Sequence, residues 1–168
     1  MPNIVHYVLF SRNEIQFSHF VSILSVLKNQ RPNKIYIHCD CHHLSGQYFT
    51  RLQPIVNQTN TQLIVRHIKK PTEVFGHKIR EEWQVFHGSD LTRIRVLLEF
   101  GGVYLDRDVY VVKALNEFFK YDFTLDFQKP YQELGTQVLI ARKNAKALHL
   151  WLETYRSYDP NDWYYNAR

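Results

Sequence analysis

Residues 87–113, HGSDLTRIRVLLEFGGVYLDRDVYVVK, constrain this chain more than any other stretch of it. They read as an amphipathic helix, a Gly101-Gly102 break and an apolar strand that carries Asp106 and Asp108. Side chains at i and i+2 of a strand share a face, so both carboxylates are expected to address one bound cation. The same alternation sends Arg107 to the opposite face. Ser89 is expected to cap the helix, with Asp90 in its first turn, where the helix dipole favours an anion. Arg93, three residues on, shares a helix face with Asp90.

The rest of the chain alternates in the same way. Residues 4–10 form a continuous apolar strand of the type buried on both faces of a parallel sheet. Residues 17–28 have helical spacing, with apolar side chains at Phe17, Phe20, Val21, Leu24 and Leu27. Strands are predicted at 34–39, 62–67, 103–105, 109–112, 123–127 and 137–141. Helices are predicted at 45–57, bent or ended by Pro54, at 79–100 with a break near His87-Gly88, and at 145–155. The pattern implies one α/β domain over residues 1–168, an open, mostly parallel sheet flanked by helices. In such sheets ligands bind outside the carboxyl ends of the strands, which is where the two aspartates fall.

Hard divalent cations such as Mg²⁺ and Mn²⁺ take oxygen ligands, commonly one or two carboxylates plus substrate phosphates and water. Asp106 and Asp108 can supply that half-site. Gly101-Gly102 permits a tight turn into the strand and close approach of a ligand. The competing reading is plain: two solvated aspartates on a turn, and a local ion pair between Asp90 and Arg93. Net charge points the same way as the metal reading without deciding it. Lys and Arg number 21 against 16 Asp and Glu, which favours anionic ligands in general. No basic block or nucleic-acid motif accompanies that surplus, so no nucleic-acid partner is expected.

The order Ser89-Asp90, Arg93, Leu97, Gly101-Gly102, Tyr104, Asp106-x-Asp108 resembles the sugar-binding DXD region of glycosyltransferase family 32. That family includes eukaryotic α-1,4-galactosyltransferases and the yeast initiating α-1,6-mannosyltransferase. The opening Pro2-Asn3-Ile4-Val5-His6-Tyr7 resembles the family's first strand. The resemblance implies a GT-A-like fold, C-terminally truncated because relatives extend further, with a nucleotide-sugar donor, UDP-linked, bound through Mn²⁺ or Mg²⁺. It implies Asp108 as the main metal ligand and Asp106 as a contact of metal and donor ribose or sugar. Asp90 would hold donor sugar hydroxyls, and Arg93 the sugar or diphosphate. Val5 and His6 would border the nucleotide base. Tyr104 falls beside these donor-facing residues, with packing as its leading role. Thr136 or Gln137 would take the place of an asparagine that many relatives direct at the donor. The family is retaining, so no catalytic base is named, and the acceptor is a glycan, glycolipid or protein hydroxyl. The alternative is a non-catalytic nucleotide-sugar-binding module or an inactive truncated homologue. A metal-dependent phosphohydrolase fits less well, because no second acidic cluster occurs.

The remaining features carry less. Cys39 and Cys41 are the only cysteines; on extended chain their Cα atoms are too far apart for an easy bridge. The run from His38 through His43 raises zinc, but no second ligand pair follows, and a polar loop is the expectation. His67, His77 and His87 have no ligand spacing, and Trp83 and Trp151 are expected to pack in the core. No stretch approaches the ~20 apolar residues of a membrane span, and the N-terminus reads as a strand rather than a secretory signal. The chain is expected to be soluble as given, with the Golgi lumen implied by eukaryotic relatives if an anchor lies outside it.

Overall fold

A computed structural model describes residues 1–128 and 133–165. Six strands form one sheet in the order β3-β2-β1-β6-β8-β7. These are β1 (Ile4–Leu9), β2 (Lys34–Cys39), β3 (Gln62–His67), β6 (Gly102–Leu105), β7 (Phe123–Gln128) and β8 (Glu133–Ala141). β3, β2, β1 and β6 run parallel, while β8 is antiparallel to β6 and to β7. A two-stranded hairpin, β4 (Glu73–Val74) and β5 (His77–Lys78), stands apart from the sheet. The mostly parallel α/β sheet expected from the alternation is therefore present, with an antiparallel pair at one edge.

Helices cover both faces. α1 (Phe17–Ser25) and α2 (Gln47–Asn57) lay Ile23, Leu52 and Val56 onto the face formed by Val5, Tyr7, Ile35 and Ile37. α3 (Gln84–Phe100) and α4 (Lys146–Thr154) lay Leu91, Ile94, Leu97 and Leu148 onto Val8, Phe10, Tyr104 and Leu139. Trp83 and Trp151 pack against this second cluster. α1 continues into a π-helical turn, Val26–Gln30. Pro54 does not end α2: it lies on the exposed side, and the helix runs on to Asn57.

Four expectations change. α3 is unbroken through His87-Gly88, so Ser89 and Asp90 lie inside it rather than at its start. Ser89 caps nothing; its hydroxyl donates to the Val85 carbonyl one turn back, 2.5 Å away. Residues 109–112 form no strand, because both neighbours of β6 are already taken, by β1 and β8. That apolar run instead packs on α1, where Val111 N–H donates to Ser25 Oγ and Asn29 donates to the Val111 carbonyl. Cys39 and Cys41 are joined in a disulfide: β2 ends at Cys39 and the chain bends at once, bringing the Cα atoms to 5.2 Å.

Four histidines are buried, and the deepest three are His6, His19 and His38. His6 Nε2–H donates to the Gly101 carbonyl at 3.0 Å, which leaves Nδ1 to accept from His38 Nε2–H at 3.0 Å. His19 packs edge-on against Tyr7 with neither ring nitrogen hydrogen-bonded. Burial lowers His6 and His19 to about 4 and His38 to about 3. These groups stay neutral in the folded state while the unfolded chain protonates near 6.5. The stability they permit is whole above pH 6.5 and is lost as pH falls toward 4, each imidazole contributing up to about 1.4 kcal/mol per pH unit. Urea unfolding at pH 7, 6, 5 and 4 is expected to show that steep decline; a flat profile would contradict the buried neutral pair.

Candidate functional site

The carboxyl end of β6 opens into a cavity of about 340 Å³. Its lining brings Asp90 and Arg93 from α3 together with Tyr104, Asp106, Arg107 and Asp108 from β6 and the turn after it. Thr136 and Gln137 reach it from β8, and Val8, Leu9 and Phe10 from the end of β1. Gly101 and Gly102 make this convergence possible. Both have positive φ, +68° and +103°, and β6 approaches β1 so closely that a Cβ on Gly102 would lie 2.5 Å from the Ile4 carbonyl oxygen.

Arg93 is the centre of the floor. Only 6% exposed, it lays its guanidinium 4.6 Å from the centroid of the Tyr104 ring. Its Nη1 donates to the carbonyl and the hydroxyl of Thr136, both at 2.7 Å. Its Nη2 faces Asp90 at 2.9 Å and Asp106 at 3.4 Å. Burial works against the charge, but Tyr104, Asp90 and Asp106 together outweigh it, so Arg93 is held above the usual guanidinium range. Burial pushes the Asp90 carboxyl up, and Arg93 opposes that shift. Arg93 Nε has no partner among the described residues. A pair this deep is held by mutual need, since removing one member of a buried ion pair commonly costs about 3–5 kcal/mol.

The two aspartates of the DXD sequence differ in setting. Asp106 Oδ1 accepts from the Tyr104 hydroxyl at 2.7 Å as well as facing Arg93. Asp108 is exposed and makes no hydrogen bond or ion pair with the described residues. β6 stops at Leu105, so both acids sit on the following turn and not on a strand. Turn geometry also brings Arg107 into the cavity lining, where strand alternation would have turned it away.

Of the residues singled out from sequence, Asp90, Arg93, Tyr104, Asp106 and Asp108 line this one cavity, and Thr136 and Gln137 join them. Val5 and His6 do not. β1 continues to Leu9, so these two lie mid-strand and fully buried, Val5 beside Val103 and His6 against Gly101. The β1 residues that reach the cavity are Val8, Leu9 and Phe10. Sequence reasoning also missed Val85, Phe86, Trp163 and Tyr164. Nothing in their local pattern separates them from core aromatics and aliphatics.

The description "Glycosyltransferase sugar-binding region containing DXD motif" fits residues 19–124, well over half of the chain and inclusive of both aspartates. The chain belongs to that family. Glucan organizing enzyme 1 of Cryptococcus neoformans var. grubii is 24% identical over 180 residues, covering 97% of this chain. The chain spans 46% of the length of that relative. Among solved structures, the PaToxG glycosyltransferase superposes with a TM-score of 0.65 at 18% identity, over 93% of this chain and 60% of that one. GlyE of Streptococcus pneumoniae superposes with a TM-score of 0.60 at 13% identity, over 98% and 41%. The DXD-family chain therefore has the GT-A fold of glycosyltransferases, and its family is one of sugar-transferring enzymes.

Proposed function

We propose that this chain transfers a sugar from a nucleotide-sugar donor, UDP-linked, to an acceptor hydroxyl, with retention and with help from Mn²⁺ or Mg²⁺. The observation that carries the reading is the meeting of Asp106 and Asp108 with the buried Asp90–Arg93 pair in one cavity at the sheet's carboxyl edge. The residues present fit a diphosphate-chelated cation. Among the described residues no group of three or more His, Cys, Asp or Glu is placed to hold a metal by itself. Two carboxylates on a turn leave the other positions to phosphate oxygens and water, as small hard divalent ions prefer. When bound, the cation would neutralise charge developing on the nucleoside diphosphate leaving group.

The chain's own side chains have distinct tasks in this scheme. Asp108, exposed and unengaged, is the main ligand for the cation. Asp106, with Oδ1 fixed by Tyr104, contributes its carboxylate from a preset orientation. Asp90 accepts hydrogen bonds from donor sugar hydroxyls, and Arg93 supplies fixed positive charge in a water-poor floor. Val8, Leu9 and Phe10 offer an apolar border for the base. The acceptor hydroxyl attacks on the leaving-group face and its proton passes to a phosphate oxygen, so no side chain is assigned as base.

The test is affinity followed by turnover. UDP binding, measured calorimetrically, is expected to tighten at least tenfold on adding Mn²⁺. UDP-glucose, UDP-galactose and other UDP-sugars are then assayed for transfer to simple saccharides and for donor hydrolysis. Metal-dependent binding with neither reaction would favour a non-catalytic binding module. Metal-independent binding would remove the role given to Asp106 and Asp108.

A further inference from the structure

The cavity has two unlike zones, and only one is used by the donor reading on which this inference rests. Its floor is charged and closed, built from Asp90, Arg93 and Asp106. Its mouth is aromatic and open: Phe86 is 53% exposed, Trp163 39% and Tyr164 55%, and all three line the same cavity as Asp108. Rings exposed singly elsewhere, such as Phe17 and Tyr121, are ordinary, but here three border one opening and form a contiguous patch.

The wall is built, not incidental. Trp163 packs edge-to-face on Phe86 with centroids 5.1 Å apart and on Trp83 at 5.4 Å. Its backbone is tied to α3 through His87. The Trp163 carbonyl accepts from His87 Nε2–H at 3.2 Å, which sets the tautomer so that Nδ1 accepts from the Tyr158 hydroxyl at 2.5 Å. Burial holds His87 below its ordinary value, so the neutral ring that this arrangement needs prevails at neutral pH. Trp163 also lies beyond residues 19–124, the span matched by the family description. Two rings of the wall, Trp163 and Tyr164, thus come from this chain's later segment, while Phe86 comes from α3 within the matched span.

The geometry points to the aromatic wall of Phe86, Trp163 and Tyr164 as the acceptor subsite, and to a saccharide as its occupant. A donor seated on the floor fills the charged zone first and leaves the mouth to the second substrate. Pyranose rings have one face of C–H groups and a rim of hydroxyls. An aromatic ring with exposed face and a polar edge nearby matches both, and the Ser89 hydroxyl, which donates to Val85, keeps its oxygen free to accept beside it. A nucleobase would also stack on a ring, and the UDP arm of the test below separates that occupant from a saccharide. β1 offers a base a border elsewhere, at Leu9 and Phe10.

The full chain, saturated with UDP and Mn²⁺, is titrated with methyl α-glucoside, methyl α-galactoside, methyl α-mannoside, lactose and maltose. Binding is read by ligand-observed NMR. At least one saccharide is expected to bind, and Phe86→Ala and Trp163→Ala each to weaken it about tenfold. UDP–Mn²⁺ affinity is expected to change by less than about threefold. Trp163→Phe, which retains a ring, is expected to recover most of the loss, and circular dichroism melting verifies folding. Should Trp163→Ala not fold, the half-exposed Phe86 still tests the wall. No saccharide binding by the UDP–Mn²⁺-loaded chain overturns the inference. So does an equal loss of UDP affinity in the ring variants, which would give the wall to the nucleobase. Failure of the unaltered chain to bind UDP–Mn²⁺ at all overturns the donor reading itself, and this inference with it.

Discussion

Asp108→Asn is expected to reduce Mn²⁺-dependent UDP affinity by about two orders of magnitude, at the upper end of what loss of a metal-site contact costs. The substitution keeps size and shape and one carbonyl oxygen. It removes the negative charge that a hard divalent cation requires. Asp108 makes no internal hydrogen bond or ion pair with the described residues and is exposed, so the fold should tolerate the change to within ~0.5 kcal/mol. Calorimetric titration of UDP with and without Mn²⁺ gives the affinity, and a melting curve gives the control. Unchanged affinity would sink the metal assignment. Asp106→Asn is a poorer probe, because Asp106 also accepts from Tyr104 and faces Arg93; its loss would disturb the floor as well as the cation.

Gly102→Ala should be the most damaging conservative change to stability. The residue has φ +103°, and an added Cβ would meet the Ile4 carbonyl oxygen at 2.5 Å. Strained backbone costs of order 1–3 kcal/mol and forced overpacking about as much again. A loss of about 3–5 kcal/mol follows, lowering the melting temperature by roughly 10 °C for a domain of this size. Gly76→Ala is the matched control. It also has positive φ, +84°, but no atom within 4 Å of the added Cβ, so only the backbone part should appear. Equal melting temperatures for the two variants would show that the β1–β6 approach is not under the constraint described.

The contrast between these two glycines illustrates what could be read from residues alone. Gly101-Gly102 was legible as a break before a strand, and the pair's service to the site followed from neighbouring motif residues. The close approach behind it depends on β1, nearly a hundred residues earlier, and no local pattern encodes it. The same divide runs through the site. Asp90, Arg93, Asp106 and Asp108 were legible because helical spacing and a short acidic pattern are local signals. That the acids sit on a turn was not, because Val109, Tyr110, Val111 and Val112 have strong strand propensity. Tertiary competition decides there: β8, from thirty residues downstream, occupies the ladder position beside β6. Val5 and His6 were assigned to the base by resemblance. The strand itself, legible over residues 4–10, runs to Leu9 and leaves both in its buried middle, so the resemblance, not the periodicity, misplaces them. Phe86 and Trp163 meet only because α3 and the last described segment pack together, which no single window of sequence contains.

The strap beneath the DXD turn bears on how the proposed donor would be captured. Residues after Asp108 have no sheet ladder, yet they are held from below by the π-helical turn at the end of α1. Ser25 Oγ accepts from Val111 N–H, Asn29 donates to the Val111 carbonyl, and Gln30 accepts from Leu115 N–H while donating to Asn116. Gln30 is itself almost wholly buried. An irregular segment fixed in this manner has surrendered its freedom before any ligand arrives. On the proposed donor reading, attraction between the carboxylates and a metal–diphosphate would therefore not be consumed in ordering the loop that bears them. On the same reading, selectivity at this turn would rest on complementarity to a rigid target, and a slackened Gln30 would blunt recognition from nearly eighty positions away in the chain.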